Sequence, residues 1–160
     1  LPIATVTSAF VNMILTFIVV FGVVIIAGRG IHIHAMLCLP IVMIVEYILC
    51  LGIALIVSSI TVYLRDLQYI LGIFVMALQY LTPVMYGVDM VENSGAGYWL
   101  VFLFNLNPMT PIIRIYRQII YYGEVPELHS LLLALIVGIV FIVIGEVMFK
   151  KLQKGFAEEF

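Results

Sequence analysis

Charge is what this sequence has least of. Of its 160 residues only 10% are Asp, Glu, Lys or Arg, and seven basic against nine acidic residues leave a formal net charge of −2. A soluble domain carries about 25% charged residues, so this chain cannot clothe itself in polar surface. No basic block is present, which removes the electrostatic footprint of a nucleic-acid binder. Nor is there a G-x-x-x-x-G-K-[ST] loop to cradle phosphates, so any ATP hydrolysis must come from another chain. Ser58-Ser59 lacks a Gly-x-Ser elbow and has no His or Asp at matching depth, which argues against a serine hydrolase. His32 and His34 have the spacing of a metal pair, but no Cys or carboxylate stands beside them, and no metal site is expected. Cysteine is limited to Cys38 and Cys50. Twelve residues apart in one apolar run, they would lie about 18 Å apart along a helix, too far for a disulfide, and they read as small apolar side chains. The opening Leu1-Pro2 has no initiator Met and no basic n-region, so it is not a signal peptide. It reads as a chain whose beginning is missing.

What is there is hydrocarbon. Hydrophobic residues make up 65% of the chain and the mean hydropathy is +1.26, which makes lipid the natural solvent. Four stretches approach the ~20 apolar residues that a bilayer requires: Ile3 to Ala27, Ala35 to about Thr61, Tyr69 to Tyr86, and Leu131 to Phe149. Pro40 suits the first turn of the second, which can be tilted or partly interfacial. Between the third and fourth, Tyr98 to Tyr122 is broken by Asn107-Pro108 and Thr110-Pro111. Proline lacks the amide donor and clashes with the preceding turn, so a straight span is disfavoured. Asn107 is a good N-cap and Pro108 a good first-turn residue, which predicts a short helix starting there and ending at Gly123. The pattern predicts an all-α polytopic membrane protein: four transmembrane helices plus two short re-entrant or interfacial helices at the outer face, in a single domain over residues 1–160. Lys150, Lys151 and Lys154 directly after the last span place the C-terminus in the cytoplasm. Counting back puts the Arg65-Asp66 loop inside and residues 87–130 outside, with four basic residues inside and three outside.

Polar residues within the spans are few and patterned. Thr5, Ser8, Asn12 and Thr16 share one face of the first span, either as hydrogen-bonding glue between helices or as the lining of a polar conduit. Tyr69, Gly72, Met76, Gln79, Pro83 and Tyr86 form a second stripe. Lipid would not select Gln79 or Pro83, so that face looks into protein or a cavity, although the terminal tyrosines also suit interface anchors. Glu46 costs roughly 2.5–3.5 kcal/mol if it sits mid-membrane, and is either paired with a neighbouring helix or in contact with substrate. Glu146, four residues before Lys150, fits an i,i+4 pair that snorkels to the inner interface.

The order of the motifs carries a resemblance. Val62-Tyr63-Leu64-Arg65-Asp66-Leu67 follows a span, and Leu81-Thr82-Pro83-Val84-Met85-Tyr86 closes the next. Asn107-Pro108-Met109-Thr110-Pro111 comes with Tyr116-Arg117, and the last span ends Phe149-Lys150-Lys151, with Phe156-Ala157-Glu158 in the tail. End to end, the chain resembles the C-terminal four-span portion of the ABC-2 type permeases that export polysaccharide or polyol phosphate (O-antigen, capsule, teichoic acid). The resemblance implies a homodimeric permease in a bacterial or archaeal plasma membrane. It would bind no cofactor itself, with ATP and Mg held by a separate P-loop ATPase subunit. Family chains have an amphipathic helix, two spans and a coupling helix before the equivalent of Leu1. By position, Asn107, Pro108, Arg114, Tyr116 and Arg117 would belong to an outer gate. Tyr80 and Tyr86, with Gln79 and Pro83 beside them, would line the transport pathway, and Arg65 and Asp66 would lie in the cytoplasmic loop near the ATPase. Glu46 matches no family motif.

The expected function is a permease subunit moving a lipid-linked or phosphate-rich glycan outward, without an enzymatic site of its own. A drug or haem exporter on the same scaffold is the alternative within the class. A membrane-embedded glycan-processing enzyme would need a cluster of carboxylates or histidines at one depth, and a purely structural membrane partner would need no coupled ATPase.

Overall fold

The computed structural model of the protein describes residues 2–26, 33–61, 67–82, 99, 102 and 107–156. Every regular element among the described residues is a helix. Helix α1 is Pro2–Ile26, with proline at a position where a missing N–H costs nothing. A single turn, α2 (Ile33–Met36), leads into α3, Leu39–Thr61. Pro40 lies in the first turn of α3, as its fixed φ favours. Helix α4 is Leu67–Leu81. Helix α5, Met109–Arg117, runs on into a π-helical turn over Gln118–Tyr122. Helix α6, Leu128–Phe156, is the longest at 29 residues.

Among the described residues, three helices are long and apolar enough to cross a membrane: Pro2–Ile26, His34–Thr61 and Leu128–Lys151. The remaining expected span, Tyr69 to Tyr86, is described as the 15-residue α4. At 1.5 Å per residue α4 is about 22 Å long, short of the roughly 30 Å hydrocarbon core. The continuation of that stretch beyond Thr82 lies outside the described residues, as does most of the first broken segment near Tyr98. The last helix begins three residues before the expected span and continues through Lys150 and Lys151 to Phe156. Glu146 and Lys150 make the expected i,i+4 pair, with Nζ 2.6 Å from Oε1. Both side chains are more than half exposed, so the pair adds little stability.

The packing centre is α3 against α6, and glycine makes it possible. A Cβ on Gly52 would fall 2.6 Å from the Ile142 nitrogen and 2.7 Å from the Phe141 carbonyl carbon. One on Gly145 would meet the Leu55 Cβ at 2.8 Å, and one on Gly138 would meet the Ile48 side chain at 3.0 Å. In lipid there is no hydrophobic drive between apolar helices, so close backbone approach through small residues supplies the attraction by packing. Leu39, Val42, Val45 and Leu49 of α3 are buried with Ile112, Ile115 and Ile119 from α5 and its π turn and Ala134 of α6. Helix α1 lies along α3 without burying a single residue, and the described side chains of α4 are largely exposed.

Candidate functional site

Helix α5 is too short to stand alone and is held by its surroundings. Pro108 already has helical angles (φ −64°, ψ −18°), so the capping duty falls to Asn107. Its Oδ1 accepts the Met109 N–H at 3.0 Å, and its backbone carbonyl accepts the Thr110 N–H at 3.1 Å. The C-terminal end is the expected Gly123, left-handed at φ 68°, where glycine alone avoids a Cβ penalty. There the Glu124 N–H reaches back to the Gln118 carbonyl at 3.1 Å. The apolar side of α5 (Ile112, Ile115, Ile119) is buried, while Arg114 is exposed and Arg117 half-buried. Arg114 borders a cavity of about 330 Å³ between α5 and α6, with Thr110, Pro111 and Ser130.

Two side-chain bonds tie this helix to distant parts of the chain. Asn107 Nδ2 donates to Thr82 Oγ1 at 2.8 Å, and Thr82 in turn donates to the Leu78 carbonyl at 2.6 Å. Both residues are buried. Thr82 and the Asn107-Pro108 motif therefore meet in space, where the end of α4 approaches the start of α5. On the other tie, the Tyr116 hydroxyl donates to Glu46 Oε2 at 2.6 Å. Tyr116 also stacks on Phe17 of α1, centroids 5.3 Å apart and planes 29° from parallel. Of the two readings of Glu46, a carboxyl paired with a neighbouring helix is the one the structure displays. Glu46 also borders a mainly apolar cavity of about 200 Å³ between α1 and α3, with Phe10, Met13, Tyr47 and Cys50.

The structure brings Asn107, Pro108, Arg114, Tyr116 and Arg117 together on one short helix and its cap. Gln79 and Tyr80 are both exposed on α4. Pro83, Tyr86, Arg65 and Asp66 lie outside the described residues. The α1 stripe of Thr5, Ser8, Asn12 and Thr16 is exposed throughout, whereas Val6, Phe10 and Met13 border the cavity shared with α3. Thr16 satisfies itself on the Asn12 carbonyl at 2.9 Å. Thr7, an α1 residue off the stripe, has its hydroxyl 3.0 Å from the Tyr47 hydroxyl of α3. The partners missed in the sequence are Thr82 and Tyr47, which hydrogen-bond, and Phe17, which stacks. Thr82 sits inside a noted motif, but nothing local marks it as the partner of a residue 25 positions away.

Comparison with known proteins supplies a frame for this geometry. The ABC-2 type transporter family matches residues 2–121. An O-antigen export system permease protein RfbA of Klebsiella pneumoniae is 25% identical over 158 residues, covering 99% of this chain and 59% of the relative. A second protein of that name from Klebsiella pneumoniae is 27% identical over 120 residues, 75% of this chain and 44% of the relative. One from Myxococcus xanthus is 25% identical over 158 residues, 99% and 59%. The chain thus spans less than two thirds of the length of the relatives it matches.

Proposed function

The chain belongs to the ABC-2 type transporter family, and from that membership we propose that it is the permease subunit of an ATP-driven exporter. The cargo in this reading is a lipid-linked polysaccharide or polyol-phosphate glycan, carried outward across a bacterial or archaeal plasma membrane. The observation that carries the reading is α5. A short helix, capped at Asn107 and stopped at Gly123, presents Arg114 on its exposed side while its apolar side is buried. Guanidinium groups there suit the phosphates of a departing glycan, because the planar fork matches phosphate oxygens. Helix α5 is then part of an outer gate, and the apolar stretch Tyr69 to Tyr86, which contains most of α4, is the third of four spans. The exposed aromatics and Gln79 of α4 face the transport path, and the Arg65-Asp66 loop lies on the ATPase side. Polar Ser8 and Asn12 on the outward side of α1 would be costly against lipid, which supports a further protein surface there. In the homodimer that resemblance implies, a second copy would provide it.

The ATP and Mg of this reading belong to a separate P-loop subunit. Replacing that subunit's Walker lysine, which reaches the β- and γ-phosphates, traps glycan on the inner leaflet. The measurement is surface glycan detected by an external lectin or antibody, with and without the substitution. Surface glycan at the unmutated level, with no ATPase co-purifying, overturns the reading.

A further inference from the structure

Glu46 is the single Asp, Glu, Lys or Arg in α3, and its carboxylate accepts a hydrogen bond from Tyr116 of α5, 70 positions away. We propose that Glu46 is a positioning residue for α5: by holding the Tyr116 hydroxyl it sets the rotation of the helix that carries Arg114 and Arg117. The inference rests on the reading of α5 as a gate helix, and names what holds that helix in the observed placement.

The argument is rotational. Burial of Ile112, Ile115 and Ile119 decides which side of α5 faces the core, but apolar contacts are non-directional and fix the rotation of a nine-residue helix only coarsely. Polar ties are directional, and two of those that hold α5 lie near its opposite ends. Asn107 on Thr82 pins the N-terminus. Glu46 on Tyr116 pins the C-terminal half, and Phe17 stacks on the same ring. Tyr116 and Arg114 are two residues apart, about 200° around a helix. Turning Tyr116 toward Glu46 therefore turns Arg114 away from the core, where it is exposed. An apolar residue at position 46 would fill space equally well in lipid, but would remove this acceptor from the phenol and the tie from the C-terminal half of α5.

The test reads docking of α5 directly. In the complete permease with Cys38 and Cys50 replaced by Ala, Ile119→Cys places a thiol one turn beyond Tyr116 at a position that is 3% exposed. Its rate of reaction with N-ethylmaleimide is measured in permeabilised membranes, so sidedness plays no part. Tyr116→Phe and Glu46→Leu are each expected to speed labelling at least fivefold. Glu46→Gln, whose amide oxygen still accepts from the phenol, is expected to stay within twofold of the parent. The Glu46→Leu, Tyr116→Phe double variant should label no faster than either single one, because both remove the same bond. Equal rates in all variants, or multiplying effects in the double variant, would overturn the proposal. Labelling requires neither glycan nor nucleotide, so the clasp can fail while the export reading stands. Loss of glycan export in the unmutated system would remove the export reading and leave the clasp.

Discussion

At the scale of single residues, Asn107 does the most with the fewest atoms: its oxygen caps α5 and its nitrogen reaches Thr82. These duties separate by substitution. Asn107→Ala loses both, an expected cost of about 1 kcal/mol for the cap and ~0.6 kcal/mol for the interhelical bond. Asn107→Ser keeps a capping oxygen but cannot reach Thr82, and Thr82→Val removes the tie, with the Thr82 bond to the Leu78 carbonyl, while leaving the cap. Thermal unfolding of the purified protein in detergent should rank Asn107→Ala as least stable, with the other two between it and the parent. An Asn107→Ala protein melting with the parent would show that α5 is held by apolar burial alone. The arginines call for a functional measurement instead. Replacing Arg114 and Arg117 together with Gln is expected to reduce export while leaving membrane insertion intact; normal export would reduce them to interface anchors.

At the scale of elements, the α3–α6 contact is where packing leaves no slack. Gly52→Ala drives a methyl into the backbone at Phe141 and Ile142, and neither can move without separating the helices. Overpacking of this kind costs about 1–3 kcal/mol, and Gly145→Ala should behave similarly against Leu55. Gly22 and Gly72 are the internal controls, since nothing lies within 4 Å of an added Cβ. Alanine there should be neutral or gain up to about 1 kcal/mol from helix propensity. Melting temperatures of the four alanine variants check the contrast, and similar shifts at all four would show that the close approach is not what holds α3 to α6. Nothing in the hydrophobic pattern distinguishes Gly52 from Gly72, because both sit in apolar helical runs and only the facing helix separates them.

For the whole molecule, the open matter is which side each segment faces. The lysines at the end of α6 and the broken segment before it lead to one topology. Single cysteines at Asn93 and Glu127 should react with an impermeant thiol reagent applied outside intact cells, and one at Gln153 should not. Labelling of Asn93 and Glu127 from opposite sides would mean that the intervening stretch crosses the membrane and that the orientation of α6 is reversed. Among the described residues the described side chains of α4 are largely exposed, and α1 buries none of its own. The described residues of a single copy therefore offer surfaces around their edge but no enclosed pathway, which is the physical ground for expecting further protein beside them.

Local chemistry determined much of this protein. Composition alone assigns the solvent, because 65% hydrophobic residues have nowhere else to go. The ends of α5 were legible because caps are short-range: Asn107 accepts from a residue two positions on, and Gly123 is a one-residue conformational requirement. The Glu146–Lys150 pair was legible for the same reason, being one helical turn apart. Only tertiary structure decided that Glu46 meets Tyr116, that Asn107 meets Thr82, and that the α1 stripe is exposed while Thr7 faces α3. A residue's pattern reveals that it needs a partner, since a polar group in hydrocarbon is costly alone. Which partner it finds depends on how separate helices rotate and slide against one another, and that is settled by steric fit between distant segments, such as the glycine contacts of α3 with α6.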